Sequence, residues 1–188
     1  MQINSQYFDD FPVLKTERLT LKQITADHAQ RIFEMRTNER VNQFIARPEM
    51  PSLEDAIKLV ERTQLAYQNK MGIGWAGFLR DNNQLIGTCG FNSIDFPNLR
   101  AEIGGELTTE YWGKNIAFEA VSAIVNFGFE RLQLHSIEAK VSPQNRGAIY
   151  LLEALGFKKE AHFKDRIYFN NGFQDMAVYT AIQSPDSV

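Results

Sequence analysis

Cysteine is almost missing from this chain. Cys89 stands alone in 188 residues, so no internal disulfide and no cysteine-based metal site can form. Long apolar runs are missing too, which excludes a helix of bilayer-spanning length. The start, "MQINSQYFDD", lacks a signal-peptide pattern, so the expectation is a cytoplasmic protein without a membrane partner. Basic charge is not in excess: 20 Lys and Arg face 23 Asp and Glu, a formal net charge of −3. That balance argues against nucleic acid or anionic lipid as a partner, yet leaves room for a basic patch around one phosphate. His28, His135 and His162 show no metal-ligand spacing, so no metal is expected. Two phosphate-binding patterns are absent as well. G-x-x-x-x-G-K-[ST] fails because Gly113-Lys114 runs into Asn115 and has no glycine five positions earlier, and G-x-G-x-x-G does not occur.

What is present is an ordinary globular composition, 44% apolar and 23% charged, of a length that suits one domain over 1–188. Residues 1–12 and 183–188 read as loosely held ends. "RLTLKQI" reads as a strand, and "TADHAQRIFEMRTN" as a helix capped by Thr25. "SLEDAIKLVERTQLAYQNK" is a second helix, with Ser52 three residues before Asp55. Two β-rich runs flank Asp81-Asn82-Asn83 as a hairpin, and "LRAEIGGEL" follows as a strand whose Gly104-Gly105 suggests a bulge or a close approach. "HSIEAKV" alternates as a strand, "PQNRGAIYLLEALGF" is a short helix ending at Gly156, and the last two strands surround Asn170-Asn171-Gly172. The order β-α-α-β-β-β-α-β-α-β-β predicts an α+β fold, a mixed sheet of about seven strands with helices on both faces. Phe127, Phe129, Phe157, Phe163 and Phe169 are expected in the core, and Cys89 is read as a small buried residue rather than a nucleophile.

The chemistry concentrates in "ELTTEYWGKNIAFEAVSAIVNFGFERL". A helix start offers unpaired N–H groups and partial positive charge, so a strand–turn–helix unit invites a phosphate or pyrophosphate. Gly113 lets the backbone approach, Lys114 adds a charge, and Ala117 is small enough to admit a phosphate near the first turn. The bland alternative is a plain helix start with a solvated lysine.

"AEIGGELTTEYWGKNIAFEAV", followed by "SPQNRGAIYLLEALGFKKEA" and preceded by "LKTERLTLKQITADHAQRIFEM", resembles the GNAT superfamily of acetyl-CoA-dependent N-acetyltransferases. It is most similar to the branch that acetylates the N-terminal amine of ribosomal proteins. The resemblance runs from about Leu14 to Ile182 and implies the GNAT fold, its mostly antiparallel sheet, and acetyl-CoA as cosubstrate. The family's Gln/Arg-x-x-Gly-x-Gly/Ala pyrophosphate motif falls on Trp112, Gly113, Lys114, Asn115, Ile116 and Ala117, with Phe118 next. Trp112 replaces the Gln or Arg, and Asn115 replaces the central glycine. Asparagine tolerates unusual backbone angles, so binding should survive. The resemblance also implies that the preceding strand splays from its neighbour and meets the pantetheine arm with the main chain of Gly105, Glu106 and Leu107. Asn145 would reach the cofactor from the other side.

Acetyl transfer to an amine needs a neutral amine, help for an oxyanion and a proton for the thiolate. Glu102, the glutamate of "AEIG", is the candidate base; the alternative is an exposed carboxylate paired with Arg100. The family's acid positions fall on Ala148 and Leu152, both apolar, while Tyr150 lies about 200° round the helix from 148. That leaves water, a hydroxyl from Tyr168 or Tyr179, or a cofactor-binding protein that does not turn over. Asp175 resembles an acidic position of the family, and it could equally pair within its own hairpin. The expected acceptor is a peptide or protein α-amine, with a polyamine or aminoglycoside, or a non-catalytic acyl-CoA-binding module, as alternatives. Monomer or homodimer is left open.

Overall fold

The computed structural model describes residues 2–169 and 171–183. Eight strands form one sheet: β1 (Leu14–Lys15), β2 (Leu19–Gln23), β3 (Ile73–Leu79), β4 (Leu85–Asp95), β5 (Arg100–Leu107), β6 (Ser136–Val141), β7 (Lys158–Phe169) and β8 (Gly172–Ile182). Their spatial order is β1-β2-β3-β4-β5-β6-β8-β7, and of the seven pairings only β5 with β6 is parallel. The eighth strand beyond the expected seven is β1, two residues paired with Thr20 and Leu21 and too short to show a period. The helices are α1 (Ala29–Thr37), the single turn α2 (Glu39–Asn42), α3 (Leu53–Gln68), α4 (Ile116–Asn126) and α5 (Arg146–Ala154). This is an α+β fold of the GNAT kind, an open mixed sheet with helices on both faces.

Alternation along the strands sorts the core into two layers. Leu19, Leu21, Trp75, Phe91, Ala101 and Ile103 face α4 and α5, where they meet Ile124, Val125 and Leu152. Ala76, Phe78 and Leu85 face α1 and α3, against Ile32, Ala56 and Val60. Ser52 caps α3 by accepting the Asp55 N–H at 3.3 Å, as its spacing indicates. The buried Trp75 is worth up to about 5 kcal/mol by area, and its indole N–H donates to the Pro12 carbonyl at 2.7 Å.

That last contact corrects the expectation of a loose beginning. Ile3 and Phe8 are buried, the Asn4 N–H donates to Leu132 O at 3.0 Å, and the Tyr67 hydroxyl donates to Tyr7 O. Polar residues such as Gln2, Gln6 and Asp9 disguise a segment that the sheet holds through a few apolar anchors. At the other end Gln183 is tied by its N–H to His135 O, while 184–188 lie outside the described residues. Asn170 of the last hairpin also lies outside them; its neighbour Asn171 takes a left-handed φ of 57°. Among the phenylalanines, Phe127 and Phe157 are core, but Phe163 is 41% exposed with Arg166 over its ring. β7 is an edge strand with two register breaks, so a sequence pattern could not say which of its faces is covered.

Candidate active site

β5 and β6 pair over only three residues, Arg100 with Ser136 to Glu102 with Glu138, and then part. β5 runs on to Leu107 along β4, and β6 runs on to Val141 along β8. A cleft therefore opens in mid-sheet, with Glu102 and Glu138 at its vertex. The Thr108 N–H bonds Ile86 O, and the Glu106 carbonyl points at Gly87, so these two residues face β4. Backbone alternation then turns Gly105 and Leu107 toward the cleft. Glu106, grouped with them on sequence, does not share that orientation.

The mouth of the cleft is the turn into α4. Gly113 has φ +70° and Asn115 φ +59°, both left-handed. Asparagine is among the few side-chain-bearing residues that take this region readily, which is how it stands in for a glycine. Nothing lies within 4 Å of the position a Cβ would occupy on Gly113. Across six residues, Gly113 to Phe118, no N–H has a protein acceptor in hydrogen-bonding geometry among the described residues. Such a run, on an alternating backbone at a helix start, is a concave anion site. What holds it open comes from about a hundred residues away in the chain. Glu119, on the first turn, accepts from the Thr16 hydroxyl, the Arg18 N–H and the Arg18 guanidinium, while Arg18 also donates to Lys114 O at 2.9 Å. Burial pushes the Glu119 carboxyl up, but these donors outweigh it and hold it below the usual range. Trp112 bends back so that its indole N–H donates to Leu107 O at 2.9 Å, with the Arg40 guanidinium over the ring. Lys114 and Phe118 are exposed at the rim.

On the far side Asn145 caps α5, its Oδ1 accepting from the Ala148 N–H at 3.1 Å. Ala148 and Leu152 pack into the core, and Tyr150 is 75% exposed, turned away as helical geometry requires. Tyr179 is buried with its hydroxyl 3.5 Å from Glu153 of α5; burial and that carboxylate keep it protonated above its usual range. Tyr168 lies on the exposed hairpin against Phe173. Asp175 pairs within its hairpin, to His162 at 2.6 Å and to the Asp165 N–H. Cys89 is half-buried, and burial of its thiol pushes its pKa up to about 12, so it is no nucleophile at neutral pH.

At the vertex a cavity of about 230 Å³ is lined by Ser93, Asp95, Arg100, Glu102, Glu138 and Lys140. Glu102 is bound to Lys140 Nζ at 2.5 Å, and Lys140 also lies 3.6 Å from Glu138. The Glu102 carboxylate above all, and Glu138 with it, raises the Lys140 pKa, so the ammonium stays charged. Arg100 pairs with Asp95 at 3.3 Å and with Glu138 at 3.7 Å, not with Glu102. Three carboxylates share two cations, an arrangement that can hold a further ammonium group.

Two features here were invisible in sequence. The bulge suggested by Gly104-Gly105 lies in the opposite strand, where the register slips between Phe91 and Ser93 and leaves Asn92 as the extra residue. The Asn92 amide lies across Gly104, with Nδ2 2.5 Å from where a Cβ would stand, so any side chain there would push the amide aside. Beyond it, the Glu106 side chain is only 2% exposed, between Arg36 (Nε at 2.7 Å) and Arg47, with the Thr88 hydroxyl donating at 3.2 Å.

Comparison with known proteins identifies the family. A family model described as an acetyltransferase (GNAT) domain matches residues 18–158. An uncharacterized N-acetyltransferase of Bacillus subtilis, YoaA, is 38% identical over 173 residues, covering 92% of this chain and 98% of that protein. A ribosomal-protein alanine N-acetyltransferase of Escherichia coli is 30% identical over 107 residues, 56% of this chain and 55% of its own length. Among solved structures, the ribosomal α-N-protein acetyltransferase RimL in complex with coenzyme A superposes with a TM-score of 0.85 over 91% of this chain and 98% of its own. At 20% identity that likeness speaks for the fold alone.

Proposed function

The chain belongs to the GNAT family and is an acetyl-CoA-dependent N-acetyltransferase, and from that premise we propose that its acceptor is the α-amine of a peptide or protein. The observation that carries the reading is the juxtaposition of six N–H groups at 113–118, without a protein acceptor among the described residues, with a sheet splay whose vertex is acidic. Gly113 to Phe118 would seat the pyrophosphate on backbone N–H groups, and Gly105 and Leu107 would pair with the pantetheine arm. Acetyl-CoA supplies the activated acetyl thioester. Glu102 and its neighbours Glu138 and Asp95 draw the acceptor ammonium into the vertex, where it competes with Lys140 for the Glu102 carboxylate. Glu102 then takes the proton that frees the amine for direct attack. An α-amine with a pKa near ~8 is already about one-tenth neutral at pH 7, whereas a lysine near ~10.4 is neutral about once in a few thousand, a handicap of roughly 3 kcal/mol. A carboxylate already shared with a lysine suits the easier task. The similarity to a ribosomal-protein alanine N-acetyltransferase points the same way. Ala148 and Leu152 offer no proton for the leaving thiolate, so solvent entering the open cleft supplies it.

The test is thiol release from acetyl-CoA over peptides with free N-termini, the same peptides blocked at the α-amine but carrying lysine, and small polyamines and aminoglycosides. Release that requires a free α-amine, and falls at least about tenfold in Glu102→Gln, supports acceptor and base together. Turnover indifferent to Glu102→Gln removes the base. Preference for polyamines replaces the acceptor.

A further inference from the structure

We propose that the acceptor carries an anionic group, a carboxylate near its reactive amine, and that Arg36 recognises it. The inference rests on the acceptor amine entering at the Glu102 vertex and adds the chemistry of the acceptor's other end.

The first ground is charge. One carboxylate, Glu106, lies between two guanidiniums, and no second carboxylate among the described residues pairs with either. The Arg47 side chain is 14% exposed and all three of its nitrogens are engaged: Nε and Nη2 donate to Asn42 Oδ1, and Nη1 to Glu106. Arg47 therefore neutralises Glu106 by itself. Arg36 is the surplus cation. It uses Nε alone, and its two terminal nitrogens have no protein acceptor among the described residues. Burial pushes the Arg47 pKa down, and the nearby Arg36 charge pushes it further, against the pull of Glu106. The Arg36 side chain is only 23% exposed, and a bound anion would balance this partly buried excess of positive charge.

The second ground is rigidity. Asn42 Nδ2 donates to Arg36 O at 2.5 Å while Asn42 Oδ1 holds Arg47, so the end of α1, α2 and the segment after it are fixed relative to β5. A guanidinium held by its Nε with its outer edge free is a preorganised fork for a carboxylate.

The third ground is position. Glu102, Gly104 and Glu106 share one face of β5. Along it run an acidic well, the Asn92 amide over a bare glycine, and an arginine-capped end. Four residues of strand separate the ends, roughly 13 Å, which an extended peptide crosses within its first three or four residues. An acceptor with ammonium at one end and carboxylate at the other lies down in one direction only. The carboxylate comes either from an acidic side chain near a protein N-terminus or from the C-terminus of a short peptide.

The experiment compares kcat/KM for amidated peptides carrying Glu or Gln at the second or third position, with a tetrapeptide and its C-terminal amide as a further pair. Each is run with wild type, Arg36→Gln and Arg36→Lys. The expected result is a preference of about tenfold or more for one carboxylate-bearing partner. In Arg36→Gln that ratio falls to near one, Arg36→Lys keeps part of it, and the KM for acetyl-CoA moves little. The pair that shows the preference identifies the source of the carboxylate. Equal use of charged and neutral partners by wild type overturns the proposal and leaves the acetyltransferase reading intact. So does an Arg36→Gln effect that is equal on both partners, or one that appears in the acetyl-CoA KM. If no peptide is acetylated, the peptide-acceptor reading fails instead, and an ω-amino acid compared with its amide measures the same Arg36 ratio.

Discussion

Two helices begin at the ends of the two strands that part, and they begin differently. α5 closes its own start: Asn145 turns its side-chain oxygen onto the Ala148 N–H. α4 withholds that closure. Its N-cap residue is also an asparagine, Asn115, but a left-handed backbone sends the side chain away from the helix, and no side-chain cap bond forms. The same residue type thus satisfies one helix end and leaves the other hungry. The difference lies in φ, −80° at Asn145 against +59° at Asn115. The uncapped end is stable because Thr16 and Arg18 grip Glu119 one turn along, so order is imported from the turn between β1 and β2 instead of being taken from the N–H groups. An anion site is what remains when a cap is withheld and its stabilisation is provided elsewhere.

Breaking the comparison outright takes a carboxylate in the open turn. Ala117→Asp places a negative charge among the six N–H groups, and acetyl-CoA affinity measured by calorimetry should fall about a hundredfold or more, from charge repulsion together with occupied donors. The equivalent insult at α5 is milder. Asn145→Ala removes a cap, costs about 1 kcal/mol, and should lower Tm by roughly 2–4 °C, with acetyl-CoA affinity changing far less than in Ala117→Asp.

Glu119→Gln sharpens the contrast through pH. The folded Glu119 carboxyl is held below its ordinary value, so its contribution to stability is complete above the unfolded pKa and disappears as pH falls through the folded one. In denaturant melts, wild type should exceed Glu119→Gln at neutral pH, and the gap should close on acidification through the carboxylate range. A gap that persists in acid would assign the effect to packing. The smallest effect is expected at Asn115→Gly, which relieves a left-handed side chain at the cost of a freer unfolded chain. Stability should stay within about 0.5 kcal/mol of wild type, with acetyl-CoA affinity unchanged. Asn115→Val, branched at the same φ, should damage both.

The order of strands and helices was legible in sequence because alternation, helical spacing and turn residues are local. The turn at 112–118 was legible for the same reason: glycine, an αL-tolerant asparagine and small Ala117 announce a backbone that leaves donors open. Less was legible where polar residues act at a distance. Trp112 looked like a lost ligand and is a brace to Leu107. Glu106 looked like part of the cofactor edge and is a buried counter-ion. Arg36 and Arg47 lie 70 and 59 residues from it, and Arg18 lies 101 from Glu119, so no periodicity could join them. Asn92 gained its place from a one-residue slip in β4.

The sequence by itself determined the class of fold, the likeness to acetyltransferases and the open helix start, since each is written in neighbouring residues and their preferred backbone angles. Only the tertiary structure decided which charges meet. Charge pairing depends on separation and burial, and both are set by the register of strands far apart in the chain. That register placed Lys140 on Glu102, and the packing of α1 and the segment after α2 placed two arginines on Glu106, giving the floor of the cleft an acidic end and a basic end.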